Sequence, residues 1–125
     1  MAKILLVDDE TEFVEMLAFR LAKAGGYEVE SAYDGEEGLQ KARAGHPDLI
    51  ILDIWMPKKD GYQVIKELKS SEGTALIPVI ILTASTLPQT LAKIKAAGAA
   101  DYILKPFEPT VMMAKIKAAL EKKNA

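Results

Sequence analysis

Residues 49–53 read Leu-Ile-Ile-Leu-Asp, four apolar side chains in a row followed by a carboxylate. Two similar runs occur at residues 4–7 and 79–82, and a weaker one at residues 102–104. Continuous β-branched runs of this length are typical of strands buried on both faces of a parallel sheet. We therefore predict that these four segments are strands of one sheet.

A fifth strand is indicated by residues 27–30, where apolar and acidic side chains alternate. This alternation implies that one face of the strand is exposed to solvent, so we place the strand at an edge of the sheet. The segments between the strands are predicted to be helices, because their apolar residues repeat at helical spacing. Examples are Phe13, Met16, Leu17 and Leu21 in the first helix, and Tyr62, Val64, Ile65 and Leu68 in the third.

Boundaries of these helices are indicated by capping residues. Asp9 with Glu12, and Asp34 with Glu37, have the spacing of a capping box. Other boundary signals are Gly45, Pro88, Gly98 and Pro109. The order β-α therefore repeats five times, which predicts an α/β fold with a parallel sheet, helices on both faces and right-handed crossovers.

Composition limits the classes of function. The chain has 125 residues, half of them hydrophobic, which fits one domain with one core. A net charge of −2 does not favour nucleic-acid binding. The absence of cysteine and the presence of a single histidine, His46, exclude disulfides and the usual zinc sites. The apolar run at the start of the chain is too short for a signal peptide or a membrane span, so we expect a cytoplasmic protein.

Polar residues collect where the predicted strands end. The first strand ends at Asp8 and Asp9, the third at Asp53, the fourth at Thr83 and the fifth at Lys105. Ligands of open α/β sheets bind at the carboxyl ends of the strands, so we expect these side chains to share one site. Clustered carboxylates repel one another unless a cation lies between them, and Mg²⁺ prefers oxygen ligands. Such a set suits phosphoryl transfer, with a carboxylate as nucleophile.

Five segments at these strand ends resemble the response-regulator receiver domains of two-component signalling. They are residues 4–10, residues 52–57 with Asp60 and Gly61, residues 82–84, residues 98–102 and residues 104–107. The resemblance covers essentially the whole chain. It implies a flavodoxin-like, doubly wound (βα)5 fold with the strand order 2-1-3-4-5, as in single-domain chemotaxis regulators.

The resemblance also implies a role for individual residues. Asp53 would accept a phosphoryl group from a histidine kinase or phosphotransfer protein. Asp8, Asp9, Asp53 and the backbone carbonyl of Trp55 would hold Mg²⁺. Lys105 would contact the phosphoryl group, and its peptide bond to Pro106 would be cis.

A switch is implied as well. Thr83 would bind a phosphoryl oxygen, and the ring of Tyr102 would turn inward with it. The surface of the fourth helix, fifth strand and fifth helix would then favour another partner. The protein would be a phosphoacceptor that assists its own phosphorylation and dephosphorylation rather than an enzyme acting on a separate substrate.

Several alternatives stay open at this point. Asp8 and Asp9 also suit a helix N-terminus, and Thr83 also suits the end of a strand. An aspartyl-nucleophile phosphatase of the haloacid-dehalogenase type is a rival, although its Asp-x-Asp motif differs from Asp8-Asp9. A flavodoxin-like cofactor binder and a receiver-like module that works without phosphorylation are further rivals.

The expected domain is a receiver spanning residues 1–125, without an output domain. A receiver excised from a longer transcription factor or hybrid kinase is an alternative. We expect a monomer or weak dimer that binds no nucleic acid and no membrane directly. The cognate kinase and the downstream protein target are not indicated by the residues.

Overall fold

The computed structural model describes residues 1–123, so the last two residues of the predicted domain lie outside the described part. Strands and helices alternate from end to end. The elements are β1 (Lys3–Val7), α1 (Thr11–Gly25), β2 (Glu28–Ala32), α2 (Gly35–Gly45), β3 (Leu49–Asp53), α3 (Gly61–Ser70), β4 (Val79–Thr83), α4 (Pro88–Ala96), β5 (Asp101–Leu104) and α5 (Pro109–Lys123).

All strand pairings are parallel, and the order across the sheet is β2-β1-β3-β4-β5. The predicted fold class and strand order are confirmed. β2 lies at the edge as expected, although it begins at Glu28 and extends to Ala32 rather than covering residues 27–30. Every residue of β3 and β4 is buried, as their unbroken apolar sequences predict.

Two apolar clusters cover the two faces of the sheet. Because successive side chains in a strand point to opposite faces, Leu5 and Ile50 lie in one cluster and Ile4 and Ile51 in the other. The first cluster includes residues of α2, α3 and α4, and the second includes residues of α1 and α5. This three-layer arrangement holds the central strands rigidly, and with them the residues at their carboxyl ends.

Most of the predicted helix boundaries are confirmed. The Asp34 side chain accepts a hydrogen bond from the Glu37 backbone at 2.8 Å, and Pro88 and Pro109 begin α4 and α5. Gly45 ends α2, and the exposed His46 follows it with a left-handed backbone.

The predicted capping box of Asp9 and Glu12 is wrong. The N-cap residue of α1 is Glu10, which makes no capping hydrogen bond with its side chain. Asp8 instead accepts a hydrogen bond from the Glu10 backbone at 3.0 Å. Oδ1 of Asp8 therefore contacts the backbone of the N-cap residue, while its Oδ2 lies 2.7 Å from the Lys105 ammonium.

Candidate functional site

The carboxyl ends of four strands meet at one edge of the sheet. Val7 pairs with Leu52, Asp53 with Leu82, and Thr83 with Leu104 in the strand register. Residues that follow these positions therefore lie side by side, as the sequence predicted. An open cleft of about 840 Å³ lies over them, and its lining includes Asp9, Asp53, Trp55, Thr83 and Lys105.

Three carboxylates form the floor of this site. Asp8, Asp9 and Asp53 each offer an oxygen, and the three oxygens lie within 4.8 Å of one another. Asp8 is fully buried and Asp53 is 8% exposed, whereas Asp9 faces solvent. Burial, and then the neighbouring charge of Asp8, raise the pKa of Asp53 to about 6. Ionised carboxylates therefore repel one another here at neutral pH.

One cation faces this acidic cluster. The Lys105 ammonium lies 2.7 Å from Oδ2 of Asp8, 2.7 Å from Oε1 of Glu10 and 3.6 Å from Oδ1 of Asp53. Burial opposes the charge of Lys105, but the contacts with Asp8 and Glu10 outweigh it and raise the pKa of the ammonium above its ordinary value. Lys105 is therefore charged at any physiological pH, and its peptide bond to Pro106 is cis as expected.

The acidic cluster fits a hard divalent cation. Oδ2 of Asp8 is buried, and although Lys105 is close to it, no donor in the described residues has hydrogen-bond geometry toward it. A metal ion would give this buried oxygen a ligand bond in addition to its ion pair with Lys105. Three carboxylates at the mouth of an open cleft provide oxygen ligands and leave room for water, which Mg²⁺ usually retains.

Thr83 also lines the cleft. It is the last residue of β4 and is 5% exposed. Its hydroxyl oxygen accepts a hydrogen bond from the Ser85 backbone at 3.0 Å, so the hydroxyl proton is available for an acceptor in the cleft. The Ser85 hydroxyl in turn donates to Thr90 in the first turn of α4 at 3.1 Å. Thr83 is thus linked by hydrogen bonds to the start of α4.

The loop from Asp53 to α3 is fixed by the start of the helix. Asp60 and Gln63 form a reciprocal capping box, with hydrogen bonds of 2.9 and 3.0 Å. The Gly61 backbone donates to the Ile54 carbonyl at 2.6 Å. The loop between them places Trp55 on the cleft with 74% of its surface exposed.

Gly61 allows a close approach between backbone segments in this loop. A Cβ atom at position 61 would lie 2.5 Å from the Asp53 carbonyl oxygen and 2.8 Å from Cα of Ile54. Both neighbours are backbone atoms, so they cannot move without shifting Asp53. We expect Gly61→Ala to lower the free energy of unfolding by roughly 1–3 kcal/mol, as measured by urea denaturation.

Gly73→Ala is the matched control for this substitution. The nearest atom to a Cβ at position 73 is Cε1 of His46 at 3.7 Å, an ordinary contact. We expect its effect to stay within about 0.5 kcal/mol. Equal effects of the two substitutions would show that the close approach at Gly61 does not constrain the loop.

Tyr102 does not line this cleft in the described structure. Its half-buried ring packs against the cluster that includes Ile94, and it borders a separate cavity of about 410 Å³ between α4 and β5. On the other side, Lys115 of α5 donates to the Tyr102 carbonyl at 2.6 Å and lies 4.3 Å from the centre of its ring. The predicted role of Tyr102 in a switch therefore stays a prediction.

Sequence reasoning missed the Glu10 side chain as a partner of Lys105. The two residues are 95 positions apart, and they come together because the segments that follow β1 and β5 lie at the same carboxyl edge of the sheet. A signal was nonetheless present, since Glu10 directly follows the acidic pair.

Among the described residues, no helix is long and apolar enough to cross a membrane.

Comparisons with known proteins identify the family. A family model for the response regulator receiver domain matches residues 4–117. The alkaline phosphatase synthesis transcriptional regulatory protein PhoP of Bacillus subtilis is 42% identical over 120 residues, which are 96% of this chain and 49% of PhoP. The chain spans about half the length of the curated relatives it matches.

Solved structures agree with this result. The chemotaxis response regulator CheY4 of Vibrio cholerae has a TM-score of 0.88 and 35% identity, covering 95% of this chain and 98% of that one. A receiver domain of a histidine kinase from Syntrophus aciditrophicus has a TM-score of 0.89 and 34% identity, covering 98% of this chain and 92% of that one. The sequence-based expectation is confirmed, and the chain belongs to the response regulator receiver domains, the phospho-accepting switches of two-component signalling.

Proposed function

We propose that Asp53 is the phosphoacceptor of this switch and that the donor is a phosphohistidine of a histidine kinase or phosphotransfer protein. The observation that carries the proposal is the position of the Asp53 carboxylate. It lies at the end of the central strand β3, on the cleft, beside two other carboxylates and 3.6 Å from the Lys105 ammonium. No other carboxylate in the acidic cluster is both nearly buried and on the cleft lining.

The proposed step is a displacement at phosphorus. A carboxylate oxygen of Asp53 forms the new bond to phosphorus, and the bond from phosphorus to the imidazole nitrogen of the donor breaks. The electron pair of the broken bond stays on that nitrogen, and the imidazole leaves in its neutral form, taking one proton from solvent if its other nitrogen carries none. Lys105 neutralises charge on the phosphoryl oxygens, and Thr83 donates its hydroxyl proton to one of them.

We propose Mg²⁺ as the cofactor, held by Asp8, Asp9, Asp53 and the Trp55 carbonyl. When bound, it supplies the positive charge that lets an anionic donor approach three carboxylates. The residues of the chain then assist both phosphorylation and hydrolysis of the acyl phosphate. This makes the protein a self-assisting phosphoacceptor and not an enzyme with a separate substrate.

The proposed readout is a population shift between two arrangements of the surface formed by α4, β5 and α5. Thr83 now hydrogen-bonds the Ser85 backbone, and donating to a phosphoryl oxygen would draw it toward the cleft. The space next to Tyr102 between α4 and β5 offers its ring a place to move. Phosphorylation biases this equilibrium only by the difference in interaction between the two arrangements.

The Thr83→Ala variant tests this coupling. We expect it to accept the phosphoryl group at a rate within about tenfold of the parent, since Asp53 and Lys105 remain. We also expect it to lose the phosphorylation-dependent NMR shifts of amides in α4 and α5, because the hydroxyl that joins the cleft to α4 is gone. Thr83→Ser keeps the hydroxyl and should keep the shifts, whereas full shifts in Thr83→Ala would contradict the coupling.

The lone tryptophan provides the experiment for metal and acceptor together. Trp55 lies on the cleft, so its fluorescence should change on titration with Mg²⁺ and again on addition of acetyl phosphate. The response to acetyl phosphate should vanish in Asp53→Asn and persist in Asp101→Asn, whose carboxylate lies at the opposite edge of the sheet. A response to acetyl phosphate that survives in Asp53→Asn would refute the proposed acceptor.

The cellular setting is also part of the proposal. We propose a cytoplasmic receiver domain over residues 1–125, monomeric or weakly dimeric, that acts on a protein target and not directly on nucleic acid or membrane. Two settings are supported by relatives: CheY4 is matched over nearly its whole length, whereas PhoP is matched over half. The receiver therefore acts either alone or as the regulatory part of a longer transcription factor or hybrid kinase.

A further inference from the structure

The Lys105 ammonium contacts two carboxylates of the acidic cluster and one carboxylate outside it. Its ammonium is equally close, at 2.7 Å, to Asp8 and Glu10, and lies 0.9 Å farther from Asp53, at 3.6 Å. The hydrogen-bond geometry is satisfied toward Glu10, whereas the contact with Asp8 is an ion pair only. In this arrangement the cation is therefore held away from the acceptor by Glu10 as well as by the buried acid.

Glu10 differs from the other two carboxylates in its position. Asp8 and Asp53 belong to the acidic cluster that fits a metal ion, and Glu10 lies outside it. The Glu10 side chain is 64% exposed at the start of α1, and its backbone is fixed by a hydrogen bond to Asp8. The Phe13 ring of the same helix lies 4.7 Å from the Lys105 ammonium. The start of α1 thus provides the Lys105 ammonium with an ion pair and an aromatic contact outside the acidic cluster.

We propose that Glu10 is a positioning residue that competes with the phosphoryl group on Asp53 for the Lys105 ammonium. This inference rests on the proposed function, because it concerns the use of Lys105 during phosphorylation of Asp53. A phosphoryl oxygen must draw the ammonium from Glu10 before the cation can neutralise charge in the cleft. Glu10 therefore lowers the rate at which Asp53 is phosphorylated, because it reduces the fraction of time that the Lys105 ammonium can contact a phosphoryl oxygen.

The expected size of the effect is modest, because Glu10 is well exposed and solvent screens its charge. We expect Glu10→Gln to raise the rate of phosphorylation by acetyl phosphate two- to fivefold. Glutamine is close in size and Glu10 makes no capping hydrogen bond with its side chain, so α1 should be unaffected. Glu12→Gln is the matched control, since it removes the same charge from the first turn of the same helix.

A double-mutant cycle separates competition for Lys105 from a general loss of negative charge. We expect phosphorylation to be slower in a Lys105→Met background, and Glu10→Gln should give no further change in its rate there. Without metal or donor, the same cycle should show a two- to fivefold non-additivity in the unfolding equilibrium constant, measured in urea with a chelator present. A merely structural role of Glu10 would not depend on Lys105 in both measurements.

Three results would overturn the inference. They are an unchanged rate in Glu10→Gln, an equal gain in Glu12→Gln, and an equal gain from Glu10→Gln in the Lys105→Met background. The last two would indicate that only the charge repelling the donor matters. If the parent protein itself takes up no phosphoryl group, the proposed function fails, whereas normal uptake by the parent with no effect of Glu10 refutes this inference alone.

Discussion

The Asp53→Asn variant is expected to lose phosphoryl uptake from acetyl phosphate and Mg²⁺ by at least about a hundredfold, because an amide is not a nucleophile. Asparagine has nearly the same shape as aspartate, so the cleft and its other side chains should stay in place. Asp53 is the last residue of β3 and lines the open cleft above the acidic cluster. Intact-mass spectrometry of the protein at fixed times after donor addition measures the loss.

The control for this prediction is Asp101→Asn. Asp101 begins β5, so its carboxylate lies at the edge of the sheet opposite to the cleft, where it pairs with Lys115 at 3.2 Å. We expect this variant to take up the phosphoryl group at the parental rate. Uptake by Asp53→Asn at a similar rate would mean that another side chain is the acceptor.

The same Asp53→Asn substitution should stabilise the metal-free protein. Burial and the charge of Asp8 raise the pKa of Asp53 to about 6, above its ordinary value of 3.8. At neutral pH the folded protein must therefore keep an unfavourable charge that the unfolded chain carries without cost. The raised pKa implies a gain of roughly 1–3 kcal/mol in the free energy of unfolding when the charge is removed.

The sign of the pH dependence follows from the same shift. As the pH falls below about 7, the folded protein binds a proton at Asp53 before the unfolded chain does, so folding becomes more favourable down to about pH 4. The metal-free parent should gain roughly 1 kcal/mol between about pH 7.5 and pH 5 from this group. Urea denaturation in a chelator measures the gain.

Two comparisons make this second prediction specific. Asp53→Asn should lose the part of the pH dependence that comes from Asp53, whereas Asp101→Asn should keep it. Saturating Mg²⁺ should also narrow the difference in stability between the parent and Asp53→Asn, because a cation relieves the repulsion among the carboxylates. Identical pH profiles for parent and Asp53→Asn in chelator would contradict the raised pKa of Asp53.

Much of the fold was predictable because its determinants are local. The unbroken apolar run at residues 49–53 indicated a buried parallel strand, and the structure buries every residue of it. Once strands and helices alternate, all strands point the same way and their ends must share one edge. That geometric necessity is why Asp8, Asp53, Thr83 and Lys105 were expected together and are found together.

The errors and omissions concern features that depend on side-chain geometry. Asp9 and Glu12 have capping-box spacing, but the chain leaves β1 in such a way that Glu10 becomes the N-cap residue. The pairing of Glu10 with Lys105 depends on which way two long side chains turn. Sequence position places Glu10 next to the acidic pair but does not decide either feature, because both depend on competition among several nearby partners.

The position of Tyr102 illustrates the same limit. Its place on β5 followed from the apolar run at residues 102–104, but its ring environment comes from α4 and α5. The Asp60–Gln63 capping box, by contrast, was readable from its spacing alone and was overlooked. Local signals thus sufficed for some helix ends, such as the start of α3, but not for the start of α1, and the surroundings of a switch residue required the packed structure.

The most direct test of the account is to locate the phosphoryl group chemically. Borohydride reduces an aspartyl phosphate to homoserine, so the phosphorylated residue is marked permanently and can be found by fragmentation mass spectrometry. We predict homoserine at position 53 alone, and only when both Mg²⁺ and a phosphodonor have been present. Homoserine at Asp8 or Asp9, or none anywhere in the chain, would contradict it.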